Sequence, residues 1–188
     1  SVGTATEDAD TVVGVDFSGD QLDHARALRG HYGVDAQFLQ GDVTDLPLAD
    51  DSFDVAFSGW VVQMIEDIEA FLTEARRVLR NDGVLVFDLP HPFYELFDPE
   101  SHTLERSYHA DPQRTITISE EYDSEMVVFD RTVGELHNAA VEAGFDVRRV
   151  LEPGSDDPDD YDDEPLESTQ PDLMAMVPRH LRFWAVVD

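Results

Sequence analysis

The chain has 188 residues, enough for one α/β domain with a sizeable core and few for two. Its 42 acidic residues face 12 basic ones, all of them arginine, for a formal net charge of −30, a field that opposes binding to nucleic-acid phosphate or to an anionic membrane. Cysteine is absent, which excludes a disulfide framework, a thiol nucleophile and a thiolate metal site.

Thr11 to Asp16 is a short apolar run ending on a carboxylate, as a buried parallel strand does. Ser18 and Gln21 then have the spacing of a capping box, and Leu22, Ala25 and Leu28 continue a helix that Gly30 can end. Asp35 to Asp42 reads as a second strand, again ending on Asp. Phe53 to Ser58 reads as a third, with the backbone turning at Gly59. The next helix is the clearest in the chain. Ile68, Phe71, Leu72, Ala75, Val78 and Leu79 share one face, with acidic residues at its start and Arg76, Arg77 and Arg80 at its end, and Asn81-Asp82-Gly83 is expected to stop it. Val84 to Leu89 is a fourth strand, closed by Pro90.

From His91 to about Arg131 the periodicity weakens, apart from a β-like stretch at Thr115 to Ile118. Thr132 and Glu135 form a second capping box, and the helix through Leu136 and Ala140 ends at Gly144. Asp146 to Leu151 and Leu181 to Val187 are the last two strands. The acidic, Pro-containing connection between them, Gly154 to Glu167, has no convincing helix, so they are expected to pair antiparallel. The alternation predicts a doubly wound, mostly parallel α/β sheet with a C-terminal antiparallel strand.

In open α/β sheets, ligands bind beyond the carboxyl ends of the strands. Asp16, Asp42 and Asp88 are each read at such an end. An Asp at the end of the second strand of such a fold, as Asp16 is read, can accept from both hydroxyls of a ribose, and Asp42, one strand further out, can accept from an adenine amino group. The alternative for each is an ordinary strand-end or turn Asp, common in so acidic a chain.

The segment VVGVDFSGDQLDHAR (12–26), followed by FLQGDVTDLPLADDSFDVAFSGWVVQM (38–64) and by NDGVLVFDLP (81–90), resembles the core of class I S-adenosylmethionine-dependent methyltransferases, closest to the small-molecule group that includes quinone-biosynthesis enzymes. The likeness resumes at FDRTVGELHNAAVEAGF (129–145). It implies a single methyltransferase domain over residues 1–188, with 91–131 as a substrate lid. It also implies S-adenosylmethionine as cofactor and a small-molecule methyl acceptor. Asp16 would hold the ribose hydroxyls and Phe17 pack beside the adenine. Asp42 would bind the adenine amino group, with Val43 covering the ring. Ser58 and Gly59 would pass the methionine end. Trp60, Gln63, His91 and Tyr94 are candidate acceptor contacts, with His91 the first, and Trp60 fits core packing equally well. The family's Gly-rich loop, of the type Asp-x-Gly-x-Gly-x-Gly, has no match here. Ser1 to Asp10 cannot supply a strand, loop and helix, so that stretch is expected upstream of Ser1.

Methyl transfer from a sulfonium is an in-line displacement in which positioning supplies much of the catalysis, so no fixed triad is expected. His102, Tyr108 and His109, in the same irregular segment, read as surface or packing residues. The acidic loop from Ser155 to Glu164 lacks the turn Gly and closing Glu of a calcium loop, and no histidine pair has zinc spacing, so no metal is expected. Two other functions compete: a nicotinamide-dependent oxidoreductase, and a methyltransferase-like binding subunit without activity. The acidity itself reads as a halophile's adaptation, because in about 1 M salt the Debye length falls to ~3 Å and self-repulsion is screened. No long apolar run or signal pattern is present, so the expected compartment is the cytoplasm. Nothing in the sequence sets the oligomeric state.

Overall fold

Val12 to Val15 is apolar and largely β-branched, and in the computed structural model of the chain it builds strand β1 (Val13–Asp16), paired in parallel with β2 (Gln37–Gln40). The structure describes residues 9–98, 101–119, 124–161 and 170–188. They fall into two compact units, residues 1–49 and residues 50–188.

In the first unit, helix α1 (Gly19–Tyr32) joins the two parallel strands in a β–α–β sequence. Ser18 caps it as expected, its hydroxyl accepting from the Gln21 N–H at 3.3 Å. Its end differs from the expectation. The helix passes through Gly30 and closes at Gly33, whose left-handed φ of 66° favours glycine and whose N–H donates to the Arg29 carbonyl. Arg29 reaches onward to the Ala36 carbonyl at 3.0 Å, which ties the extra turn down. The second strand is also shorter than expected. It stops at Gln40, and Asp42 lies beyond it in a turn that bridges to Asp45.

The second unit centres on a mixed sheet in the order β3-β4-β8-β7, formed by β3 (Phe53–Gly59), β4 (Leu79–Pro90), β7 (Phe145–Leu151) and β8 (His180–Val187). β3 and β4 run parallel, and β8 pairs antiparallel with both β4 and β7. The antiparallel close was expected from the missing crossover helix. The connection does contain a turn at Pro158–Tyr161 and a four-residue helix, α4 (Pro171–Met174), neither legible in advance. Asp162, Asp163 and Glu164 of the acidic loop lie outside the described residues.

Helix α2 (Ile68–Val78) buries the stripe that marks it in the sequence, Ile68, Phe71, Leu72, Ala75 and Val78. Asp67 caps its start, accepting from the Ala70 N–H at 2.9 Å. The helix stops before Asn81-Asp82-Gly83, contrary to expectation. Its last carbonyls, of Arg77 and Val78, accept from the N–H groups of Asp51 and Ser52, so the chain leaves the helix at Leu79. Arg80 to Gly83 then form a bulge in β4: Phe53 pairs with Leu79, but Val55 pairs with Val84. Arg80 pins the bulge, bonding Asp54 at 2.6 Å and the carbonyls of Asp51 and Ser52.

Helix α3 (Val133–Glu142) starts with the full capping box at Thr132 and Glu135. Both helices pack on the sheet, α2 against β4 and α3 against β7. The core between them holds Leu85 and Phe87 of β4, Phe145 of β7, and Phe183 of β8, the rings of Phe87 and Phe183 stacking 4.8 Å apart. Between β4 and α3 lies a hairpin that the sequence only half revealed, β5 (Gln113–Ser119) and β6 (Ser124–Phe129). No helix of the described residues is long and apolar enough to cross a membrane.

Candidate functional site

The first unit gathers four of the predicted ligand residues at the carboxyl ends of its two parallel strands. Asp16 ends β1. One of its oxygens, Oδ1, accepts from the Ser18 N–H at 2.8 Å, which fixes the carboxylate across the start of α1. Oδ2 takes no hydrogen bond among the described residues. Phe17 follows with its ring 74% exposed, while its carbonyl accepts from the Gln40 side chain at 2.9 Å. The Gly41 N–H donates to the Asp16 carbonyl at 3.1 Å, which brings Asp42 and the half-buried Val43 to the same strand ends. Asp42 Oδ1 accepts from the N–H and hydroxyl of Thr44, at 2.9 and 2.7 Å, and these bonds hold its pKa below the usual carboxylate value. Its Oδ2 has no partner among the described residues. Each Asp therefore keeps one acceptor oxygen for a ligand.

In the second unit, the end of β3 carries Ser58 and Gly59, paired with Phe87 and Asp88 of β4. Gly59 leaves room that matters. A Cβ there would sit 3.1 Å from the Phe57 ring and 3.4 Å from Asp88 Oδ1. Asp88 is buried, its Oδ2 bonded to Arg182 at 2.8 Å and its Oδ1 without a partner. It lies two residues inside β4 rather than at its end. Trp60 follows in the left-handed region, at φ 57°, a conformation that costs a bulky residue energy and is found where surroundings enforce it. Here its N–H donates to the Asp88 carbonyl at 3.0 Å and its carbonyl accepts from Gln63 at 2.9 Å. Its ring lies 5.6 Å from the Arg179 guanidinium and 5.4 Å from the His180 ring.

Trp60 and Gln63 line a cavity of about 140 Å³ together with Leu89, Ile116, Met126 and Arg131 and with the charged Glu95, Arg114 and Asp130. Of these residues, Ile116 lies in the β-like stretch that the sequence showed, whereas Met126 and Arg131 were missed. Arg131 bonds the carbonyls of Ile65 and Glu66 through one nitrogen, both at 2.6 Å, and its burial lowers its pKa. Beside it, Arg114 bridges Glu95 and Asp130 at 2.5 and 2.7 Å, and Arg106 joins Asp130 at 2.8 Å. These half-buried pairs lock the hairpin onto the turn at Tyr94–Leu96.

His91 and Tyr94 do not line this cavity. His91 is buried, and the Phe93 N–H donates to its Nδ1 at 3.1 Å, which leaves the proton on Nε2, facing Glu152 at 2.8 Å. The Tyr94 hydroxyl is buried without a partner, and that burial raises its pKa. Tyr108 and His109 line a second cavity of about 180 Å³ near the start of α3, where the Tyr108 hydroxyl accepts from the Val133 N–H at 3.0 Å.

Residues 2–87 match the protein family described as "Methyltransferase domain". Among curated relatives, the chain is 37% identical over 76 residues to a malonyl-[acyl-carrier protein] O-methyltransferase of Yersinia pestis, covering 40% of this chain and 27% of that one. It is 37% identical over 84 residues to a demethylmenaquinone methyltransferase of Desulfitobacterium hafniense, covering 43% and 33%. The matches thus span about a third or less of those relatives' length. Among solved structures, an S-adenosylmethionine dependent methyltransferase from Mesorhizobium loti superposes with a TM-score of 0.70 at 24% identity, over 95% of this chain and 81% of that one.

Proposed function

We propose that this chain is a class I S-adenosylmethionine-dependent methyltransferase that methylates a small-molecule acceptor by in-line displacement, a reading supported by the methyltransferase-domain match of residues 2–87 and by the likeness of its fold to a solved structure of that kind. The observation that carries the reading is the pair of Asp16 and Asp42, each fixed through Oδ1 by neighbouring donors and each offering Oδ2 at a parallel strand end.

These residues fit an adenosine. A carboxylate accepts two hydroxyl donors, so Asp16 holds the ribose diol. Asp42 accepts from the adenine amino group, and the exposed Phe17 ring and Val43 flank the base. Ser58 and Gly59 take the methionine end, and the missing side chain of Gly59 lets the backbone approach. When bound, S-adenosylmethionine supplies an electrophilic methyl group. The protein's part is to orient the acceptor, hold water out and keep the nucleophile in line. The segment 91–131, tied down by Arg106 and Arg114, serves as the lid over the acceptor within a single domain of residues 1–188.

Asp16→Asn tests the nucleoside half. The amide oxygen can still accept from Ser18, but the free acceptor becomes a donor. Affinity for S-adenosylhomocysteine is expected to fall about tenfold or more, some 1.4 kcal/mol, with no change in thermal stability. Unchanged affinity removes Asp16 from the site.

The acidity supports a second part of the proposal, a halophile's cytoplasmic enzyme. On dialysis from molar KCl into dilute buffer, circular dichroism should report cooperative loss of structure, because the carboxylates then repel one another over about 10 Å or more rather than ~3 Å. A melting temperature independent of KCl contradicts it.

A further inference from the structure

We propose that the cavity between Trp60 and the β5–β6 hairpin binds a small acid, a single apolar ring carrying an anionic oxygen, and that Arg131 holds that oxygen for methylation. The inference names the acceptor class for the transfer proposed above and rests on that reading.

Size and lining set the apolar part. A dry protein cavity of about 150 Å³ holds one benzene, and this one measures about 140 Å³. Leu89, Ile116, Met126 and Trp60 supply apolar walls, Glu95, Asp130 and Arg114 also line it as an ion-paired group, and the volume suits one ring.

Charge sets the polar part. A guanidinium carries five N–H groups. Arg131 commits two to the carbonyls of Ile65 and Glu66 and a third, at 3.4 Å, to that of Phe129. Two remain, and among the described residues no carboxylate lies within ion-pair distance. Asp67, Glu69 and Glu135 act on it only through space. The neighbouring cations differ. Arg106 and Arg114 are neutralised at contact by Glu95 and Asp130. Arg131 is therefore a half-buried cation on a cavity whose other charged lining residues, Arg114, Glu95 and Asp130, are paired at contact, the combination that recognises an organic anion, and a partly buried pair is screened little by salt.

The chemistry then balances without a base. The anionic oxygen's lone pair forms the new C–O bond to the methyl carbon. The C–S bond breaks, its electron pair passes to sulfur, and anion plus sulfonium become two neutral products. No proton moves, which agrees with both ring nitrogens of His91 being engaged elsewhere.

The test uses the full chain in molar KCl, labelled with 13C at the methionine methyl groups, with benzoate and benzyl alcohol as probes. Benzoate should shift the Met126 resonance and bind more tightly than benzyl alcohol. Arg131→Gln should weaken benzoate roughly tenfold or more while leaving benzyl alcohol within about twofold. Benzyl alcohol binding as well as benzoate, or benzoate indifferent to Arg131→Gln, overturns the proposal. Should Arg131→Gln fail to fold, Ile116→Trp fills the cavity with Arg131 intact. It should abolish the benzoate shift, and a persisting shift is contradictory. Calorimetry with S-adenosylhomocysteine on the same sample separates the two readings. Its binding without any benzoate response overturns the acid site alone. A benzoate response without its binding supports the acid site and overturns methyl transfer.

Discussion

Phe183→Ala is expected to cost the second unit about 3–5 kcal/mol, read as a lower denaturation midpoint in molar salt. Phe183 is fully buried in the middle of β8, the strand that joins β4 to β7. Its ring stacks on that of Phe87, the two planes nearly parallel at 10°. Truncation forfeits both the transfer of the ring from water and the contacts of every neighbour around the void, and backbone paired on both sides cannot collapse to fill it. A loss below about 1 kcal/mol, the scale of an ordinary surface change, would mean that the sheet's centre is not packed as described.

Gly83→Ala is the second large effect, about 1–3 kcal/mol of destabilisation. The new Cβ would lie 2.7 Å from the Arg80 carbonyl oxygen and 3.1 Å from Leu79 Cβ. The obstructing atoms belong to the bulge itself, where Arg80 is anchored to Asp51, Ser52 and Asp54, so they cannot swing aside. Gly30→Ala makes the contrast. Nothing lies within 4 Å of its Cβ position in the last turn of α1, so that change should be neutral or mildly stabilising. If both variants melt alike, the bulge is not the tight turn described.

Much of this architecture is legible because it is local. The stripe from Ile68 to Val78 marks α2, and both N-cap residues, Ser18 and Thr132, act within three positions of themselves. The ends are harder, because either Gly30 or Gly33 can close α1 and only the tie from Arg29 to Ala36 selects the second. Asn81-Asp82-Gly83 looks like a helix stop yet forms a bulge, since the carbonyls at the end of α2 are already met by Asp51 and Ser52.

The positions of Asp16 and Asp42, at the end of β1 and just past the end of β2, were legible because strand register places them. The acceptor side of the candidate site was not. Arg131 meets Glu66 and Ile65 across 65 and 66 positions of sequence, and His91 meets Glu152 across 61, separations that no periodicity encodes. The hairpin wall shows the same limit. β5 announces itself through alternating Thr and Ile, whereas β6 is recognised only once its partner is known.

Calorimetric titration of the full chain in molar KCl with S-adenosylhomocysteine, alongside NAD, tests the central claim most directly. Saturable binding of S-adenosylhomocysteine with one site per chain, no heat from NAD, and weakening by Asp16→Asn is the predicted result. Binding of NAD alone contradicts it and points to a nicotinamide enzyme, while silence from both ligands assigns this chain no nucleoside site at all.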